Sequence, residues 1–174
     1  MNIDLMPITR FANLKDVEAI ANVHICSWQA MYKEFIPEIV LQALSITERM
    51  QQWHDLIKQG VQVLIAEVDN KIIGFASICA FRDKMAEPLN GEISAIYLHP
   101  NYWRKGLGTK LCLAALGQLA NLGYRVVYLW VLADNKQARQ FYEFLGFELT
   151  SLTKMEEFYE GGALLQEVLY KKIL

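Results

Sequence analysis

The chain has 174 residues, a length that predicts one domain over residues 1–174 with room for an apolar core. Hydrophobic residues make up 53% of the composition and charged residues 21%, which is typical of a globular protein and excludes a disordered one. The formal net charge of -2 leaves no excess positive charge for a nucleic-acid backbone, so no nucleic-acid partner is expected.

The N-terminal sequence and the cysteines predict a cytoplasmic protein. The sequence MNIDLMPITRF carries Asp4 and lacks the apolar core of a signal peptide, and no apolar run reaches about 18 residues, so no membrane partner is expected. Cys26, Cys79 and Cys112 lie far apart and are interpreted as buried small residues in a reducing compartment. The His, Cys and acidic residues lack metal-ligand spacing, so no metal is expected.

The first half of the chain predicts a strand, helices and a β-hairpin. A strand is expected at 5–10, a helix at 14–31, a short helix beginning at Pro37, and a helix at 47–59 that ends at Gly60. The β-branched, apolar segments VQVLIAEV and IIGFASICAF flank the turn sequence DNK, which predicts a hairpin.

The second half of the chain alternates strands with helices. The expected elements are a strand at 92–98, a helix at 106–122, a strand at 125–132, a helix at 135–145, and strands at 147–152 and 165–170. The strand at 125–132 is a continuous apolar run and is expected to be buried on both faces. This mixture of hairpins and helical crossovers predicts an α/β protein with a mixed sheet and helices on both faces.

The segment HPNYWRKGLGTKLC places Gly106 and Gly108 where a helix is expected to begin. Unpaired backbone N–H groups and the helix dipole favour an anion there, and glycine lets a ligand approach the main chain. A P-loop requires GK[ST], but the order here is Gly108-Thr109-Lys110, and a Rossmann fingerprint requires a glycine where Leu111 stands. A coenzyme A pyrophosphate loop and a plain glycine-containing loop both remain open from this segment alone.

The segment ADNKQARQFYEFLGF, which follows the apolar strand at 125–132, carries a second motif. Together with the glycine loop it resembles the GNAT superfamily of N-acetyltransferases. The residues that match the second motif are Asn135, Ala138, Phe141, Tyr142, Gly146 and Phe147. The resemblance covers most of the chain and implies one GNAT domain whose central sheet, of about seven strands, is mixed and mostly antiparallel.

The resemblance implies acetyl-CoA as the co-substrate. Backbone groups at the end of the 92–98 strand would pair with the pantetheine arm and polarise the thioester carbonyl: Ile96, Tyr97 and Leu98. Backbone N–H groups of the loop would hold the pyrophosphate: Arg104, Lys105, Gly106, Leu107, Gly108 and Thr109. Asn135 would bond the cofactor. Trp103 replaces the Gln or Arg of the family pattern, so the loop is expected to rely on its main chain, with charge from Arg104 or Lys105.

Acetyl transfer requires an acid for the leaving thiolate and a base for the amine. Tyr142, also expected to contact the cofactor, is the expected acid; the alternative is a core tyrosine with a satisfied hydroxyl. Glu92 resembles the water-linked base of some members; the alternative is a surface glutamate at a strand end. Trp28 and Tyr32, four residues apart on one helix face, are expected either to wall the acceptor pocket or to belong to the core. His24 is expected to be a core or helix-face histidine.

These features predict an enzyme that transfers an acetyl group from acetyl-CoA to a primary amine by direct attack in a ternary complex. The acceptor would be a small molecule or a peptide, and the protein a monomer or a homodimer. The alternative is a non-catalytic coenzyme A-binding sensor, which Trp103 leaves open. A dinucleotide-binding oxidoreductase is disfavoured because the third glycine of its fingerprint is absent.

Overall fold

The computed structural model describes residues 6–174, which form a mixed seven-stranded sheet and five α-helices. The elements are β1 (Ile8–Phe11), α1 (Val17–Met31), α2 (Glu38–Gln42), α3 (Ile46–Lys58), β2 (Gln62–Val68), β3 (Lys71–Ala80), β4 (Asn90–Leu98), α4 (Leu107–Asn121), β5 (Val126–Leu132), α5 (Lys136–Phe144), β6 (Glu148–Glu157) and β7 (Leu164–Ile173). The strand order is β1-β2-β3-β4-β5-β7-β6. Strands β4 and β5 are parallel, whereas β1/β2, β2/β3, β5/β7 and β6/β7 are antiparallel. The predicted mixed, mostly antiparallel sheet is confirmed.

The chain divides into two compact units. One consists of Met1–Ile78 and Ala95–Ala115, and the other of Cys79–Ser94 and Leu116–Leu174. Strands β3 and β4 and helix α4 each contribute residues to both units. The single domain over residues 1–174 stays a prediction.

In the first unit, α1 and α3 pack on the β2–β3 hairpin. The apolar residues of this core are fully or almost fully buried: Val17, Ile20, Val23, Trp53, Val63, Ile65 and Phe75. The hairpin turns at Asp69 and Asn70, whose φ angles are 49° and 61°, and Val68 pairs with Lys71. Positive φ at both central residues is the geometry of a two-residue turn that matches the strand twist, so the DNK prediction is confirmed.

In the second unit, β5 differs from its prediction. Its residues alternate between buried and half-buried, with Val127, Leu129 and Val131 on the buried side. The other side carries Tyr128 and Trp130 and is only partly covered. Phe81 stacks on Tyr128 at 4.3 Å between ring centroids, and Lys154 lies over the ring of Trp130. The prediction that β5 is buried on both faces was therefore wrong. Its apolar run combines a face in the core with a partly exposed aromatic face.

Several predicted boundaries were displaced. The expected strand at 5–10 begins outside the described residues, and its described part is β1. Strand β6 extends past residue 152, because Thr153–Glu157 continue the ladder with residues 164–168, and β7 extends to Ile173, because residues 171–173 pair with β5. Ion pairs explain why the pattern was missed: Lys154 Nζ lies 3.1 Å from a carboxylate oxygen of Glu167 and 3.3 Å from one of Glu156. Charged side chains at these positions interrupt the apolar alternation that predicts a strand.

The structure also bears on the cysteines, on membrane-spanning helices and on metal-ligating groups. Cys112 is buried, but Cys26 and Cys79 are half-buried, so the prediction of three buried cysteines was wrong for two of them. Cys26 lies in α1 and Cys79 in β3, each at a position that is partly exposed. Within residues 6–174, no helix combines the length and the apolar character that a membrane crossing needs. The same residues contain no group of three or more metal-ligating side chains placed to hold an ion.

Candidate active site

The loop before α4 has a left-handed backbone at two positions. Arg104 has φ 57° and Gly106 has φ 73°, and α4 begins at Leu107. The first N–H groups of an α-helix lack intrahelical acceptors, so the main chain at Leu107 to Thr109 presents donors at the positive end of the helix dipole. A Cβ placed on Gly106 would meet no heavy atom within 4 Å. Open space beside these donors is compatible with a phosphate group, and phosphate binding by this loop stays a prediction.

The basic side chains of the loop differ in their surroundings. Lys105 donates to the carbonyl oxygen of Asn101 at 2.8 Å, and its Nζ lies 5.4 Å from the ring centroid of Tyr102. The Arg104 side chain is exposed. Lys105 is thus held against its own loop, and Arg104 is the better source of mobile positive charge.

Trp103 is bound to the end of β4. Its indole Nε1 donates to the carbonyl oxygen of Leu98 at 2.5 Å, and the hydroxyl of Ser27 donates to the same oxygen at 2.9 Å. A carbonyl oxygen has two lone pairs, so this acceptor is fully used. Of the three residues expected to pair with pantetheine, Leu98 therefore has no carbonyl to offer.

Trp28 and Tyr32 belong to an aromatic cluster in the first unit. The cluster consists of His24, Trp28, Tyr32, Trp53, Phe75 and Tyr97, with rings packed mostly at tilted or edge-to-face angles. Trp28 Nε1 donates to the hydroxyl oxygen of Tyr97 at 3.0 Å. Tyr32 is buried, whereas Trp28 is only half-buried. The cluster joins Trp28 of α1 and Tyr32, the residue that follows this helix, to Tyr97 in the β4 segment predicted to carry the cofactor arm.

His24 is the buried centre of that cluster. Its Nδ1 accepts a hydrogen bond from Trp53 Nε1 at 3.0 Å. Burial, with a smaller contribution from the positive charge of Arg49, lowers the pKa of His24 to about 3. The imidazole is buried, neutral and bonded at Nδ1, as predicted for a core or helix-face histidine.

Asn135 and Tyr142 lie in the second unit, at the start and on the buried side of α5. Asn135 caps this helix, because its Oδ1 accepts the N–H of Ala138 at 3.1 Å. The Nδ2 group of Asn135 donates to no acceptor in the described part of the chain, and it can serve a ligand. Tyr142 is buried among the rings of Phe141, Phe147 and Tyr170.

Glu92 is 4% exposed and is not a surface residue at a strand end. Arg82 donates to it three times: from Nη2 to Oε1 at 2.7 Å, and from Nε and the backbone N–H to Oε2, both at 3.2 Å. The ion pair raises the pKa of Arg82. A carboxylate offers about four lone-pair sites, so one acceptor site remains on Oε1.

Sequence reasoning missed the arginines that organise these residues. Arg139 donates to the hydroxyl of Tyr170 and to the carbonyl of Ala133, and Tyr170 in turn donates to Glu143 at 2.6 Å. This network fixes α5 against β7 and the preceding loop. Arg82 and Arg139 lie far in sequence from some of their partners, and no local pattern indicates such pairs.

The family model described as the acetyltransferase (GNAT) family matches residues 27–147 of the chain. The chain belongs to the GNAT acetyltransferase family. This GNAT protein is 34% identical over 130 residues to the uncharacterized N-acetyltransferase YuaI of Bacillus subtilis, covering 75% of this chain and 74% of the relative. It is 34% identical over 91 residues to the uncharacterized N-acetyltransferase MJ1207 of Methanocaldococcus jannaschii, which spans 52% of this chain and 40% of the relative.

Solved structures have the same fold as this GNAT protein. The PaiA N-acetyltransferase of Thermoplasma acidophilum, whose structure contains coenzyme A, superposes with a TM-score of 0.75 over 98% of this chain and 100% of that one, at 22% identity. Membership of the family makes the protein an acetyl-CoA-dependent N-acetyltransferase, as the two motifs predicted.

Proposed function

We propose that the chain transfers the acetyl group of acetyl-CoA to a primary amine of a small molecule or peptide by direct attack, with both substrates bound at once. The observation that carries this proposal is the loop before α4, whose left-handed main chain at Arg104 and Gly106 leaves helix N–H groups beside open space. Such a site binds a pyrophosphate through the main chain. The side chain that departs from the family pattern, Trp103, is used instead to fasten the loop.

The residues that bind the co-substrate follow from this loop. Ile96 and Tyr97 pair with the pantetheine arm through their backbone, and Leu98 contributes no carbonyl, because its oxygen is occupied. Asn135 adds its Nδ2 donors. The pyrophosphate is held by the main chain of Arg104, Lys105, Gly106, Leu107, Gly108 and Thr109.

Two side chains move the protons. As the bond between the amine nitrogen and the acetyl carbon forms, Glu92 accepts the proton that the amine loses, through the remaining site on Oε1 and a bridging water. As the carbon–sulfur bond breaks, Tyr142 donates its phenolic proton to the thiolate. A phenol with an ordinary pKa of about 10 is a weaker acid than a thiol with a pKa of about 8.5, so this transfer is modestly uphill unless the site assists it.

The proposal is tested by measuring thiol release from acetyl-CoA with a panel of amines, together with the mass of the product. We expect saturable release that depends on the amine and a product heavier by one acetyl group. Calorimetry with coenzyme A provides an independent measurement. If the protein bound no coenzyme A, or bound it tightly without acetylating any amine, the proposal would be wrong.

A further inference from the structure

Arg49, the fourth residue of α3, differs from two other arginines of the structure, which pair with carboxylates. Arg10 pairs with Asp16 and Glu67, and Arg82 pairs with Glu92. Arg49 is half-buried, and its one side-chain hydrogen bond within residues 6–174 goes to the side-chain oxygen of Gln52, at 2.7 Å. Across the described residues, 6–174, no carboxylate lies within ion-pair distance of its guanidinium. A partly buried cation without an anionic partner is expensive, and proteins rarely keep one without a use.

The surroundings of this guanidinium are aromatic. Its central carbon lies 5.6 Å from the ring centroid of Trp28, and the ring of Tyr32 lies 5.0 Å from that of Trp28. Burial lowers the pKa of Arg49, and the neighbouring Tyr97 and Glu48 oppose this effect only partly. A guanidinium that stacks on an indole keeps its N–H edge available, and this planar edge matches a carboxylate through two parallel hydrogen bonds.

The position of the arginine connects it to the acceptor. Tyr97, bonded to Trp28, belongs to the end of β4, which the proposed function places along the arm of the co-substrate. An amine that attacks there lies beside the aromatic cluster. A polyamine would bring further positive charge towards Arg49 and be repelled, whereas an amine that also carries a carboxylate would supply the missing anion.

We propose that Arg49 binds the carboxylate of the acceptor, so that the substrate is an amino carboxylate of the α-amino acid type, with Trp28 and Tyr32 packed against its body. This inference rests on the proposed function. It assigns Arg49 a role in acceptor specificity, separate from the binding of acetyl-CoA.

The test compares wild type with Arg49→Gln on matched acceptors: α-amino acids, their carboxamides, and the amines that lack the carboxyl group. Wild type should prefer the carboxylates by about 10- to 100-fold in kcat/KM, the range expected for hydrogen bonds between charged groups. Arg49→Gln should abolish this preference through KM, with coenzyme A affinity unchanged, and Arg49→Lys should restore part of it. The matched control Arg125→Gln removes one exposed positive charge elsewhere and should behave as wild type.

Calorimetric titration of an α-amino acid into protein saturated with coenzyme A gives a readout that does not depend on turnover. Binding that is lost in Arg49→Gln and retained in Arg125→Gln supports the inference, even if no amine is acetylated and the proposed function fails. The inference is overturned if wild type acetylates carboxamides as well as carboxylates, if Arg49→Gln keeps the preference, or if wild type binds no amino carboxylate.

Discussion

The indole Nε1 of Trp103 and the carbonyl oxygen of Leu98 are joined by a hydrogen bond of 2.5 Å. Leu98 is the last residue of β4, and Trp103 lies in the loop that leads from β4 to α4. The bond therefore fastens this loop to the strand that precedes it. Trp103, which departs from the family pattern, therefore positions the glycine loop through its bond to β4.

Replacing Trp103 with phenylalanine removes the indole donor and keeps an aromatic ring. We expect the Kd for coenzyme A to rise about 2- to 10-fold, because one net hydrogen bond contributes about 0.5–1.5 kcal/mol to holding the loop in place. Calorimetry measures the change. Ser27→Ala is the control, since it removes the other donor to the same oxygen from α1 and should lower Tm without affecting Kd. An unchanged Kd in Trp103→Phe would refute the anchoring role.

Replacing Gly106 with alanine tests the open space beside the loop. We expect the Kd for coenzyme A to rise about 10- to 100-fold, because the new methyl group separates a charged phosphate from main-chain donors. Gly123→Ala is a matched control: its φ is 92°, and a Cβ there also meets nothing within 4 Å. Both variants should lose about 1–2 kcal/mol of stability from the left-handed backbone. Equal effects of the two variants on Kd would contradict the assignment.

Replacing Tyr142 with phenylalanine tests the acid. We expect kcat to fall about 10²- to 10⁴-fold, the usual contribution of a positioned acid, while the variant still binds coenzyme A. Tyr170→Phe is the control. The hydroxyl of Tyr170 bonds Glu143 and Arg139, so its loss should lower stability rather than kcat. An unchanged kcat in Tyr142→Phe would show that Tyr142 is not the acid.

Replacing Glu92 with glutamine tests the base. We expect kcat/KM to fall about 10²- to 10⁴-fold and the acidic limb of its pH profile to disappear, because glutamine cannot take up the amine proton. The control is Glu67→Gln, which also removes a carboxylate from an arginine ion pair. Glu67 has no role in the proposed reaction, so this variant should keep the acidic limb of the pH profile. A normal acidic limb in Glu92→Gln would show that water alone relays the proton.

His24 makes stability depend on pH. Its pKa is lowered to about 3 in the folded protein, against about 6.5 in the unfolded chain, so the unfolded state binds more protons between these values. Folding stability should therefore fall as the pH drops below 6.5, by about 2 kcal/mol at pH 5. Urea unfolding of wild type and His24→Asn measures the difference. Asparagine still accepts from Trp53 but does not titrate, so parallel curves for the two proteins would contradict the prediction.

The fold and its motifs could be predicted because they are local properties of the chain. The turn at Asp69 and Asn70 depends only on residues that are adjacent in sequence. The same is true of the glycines at the start of α4. The apolar periodicity that marks α1 and α4 is equally local. The length of β6 was underestimated, because charged residues that form ion pairs within β6 and with β7 replace the apolar pattern there.

Residue types at short spacings were enough to predict the family, the co-substrate and the loop that is proposed to hold it. The use of single side chains could not be predicted in this way, because it depends on contacts that form on folding. Trp103 donates to the carbonyl oxygen of Leu98, Arg82 takes up three acceptor sites of the Glu92 carboxylate, and burial keeps His24 neutral. In the part of the chain that the structure describes, Arg49 has no carboxylate partner. Each of these facts depends on burial and on contacts between side chains that folding brings together, which set the charge and hydrogen-bonding state of a group independently of its spacing in sequence.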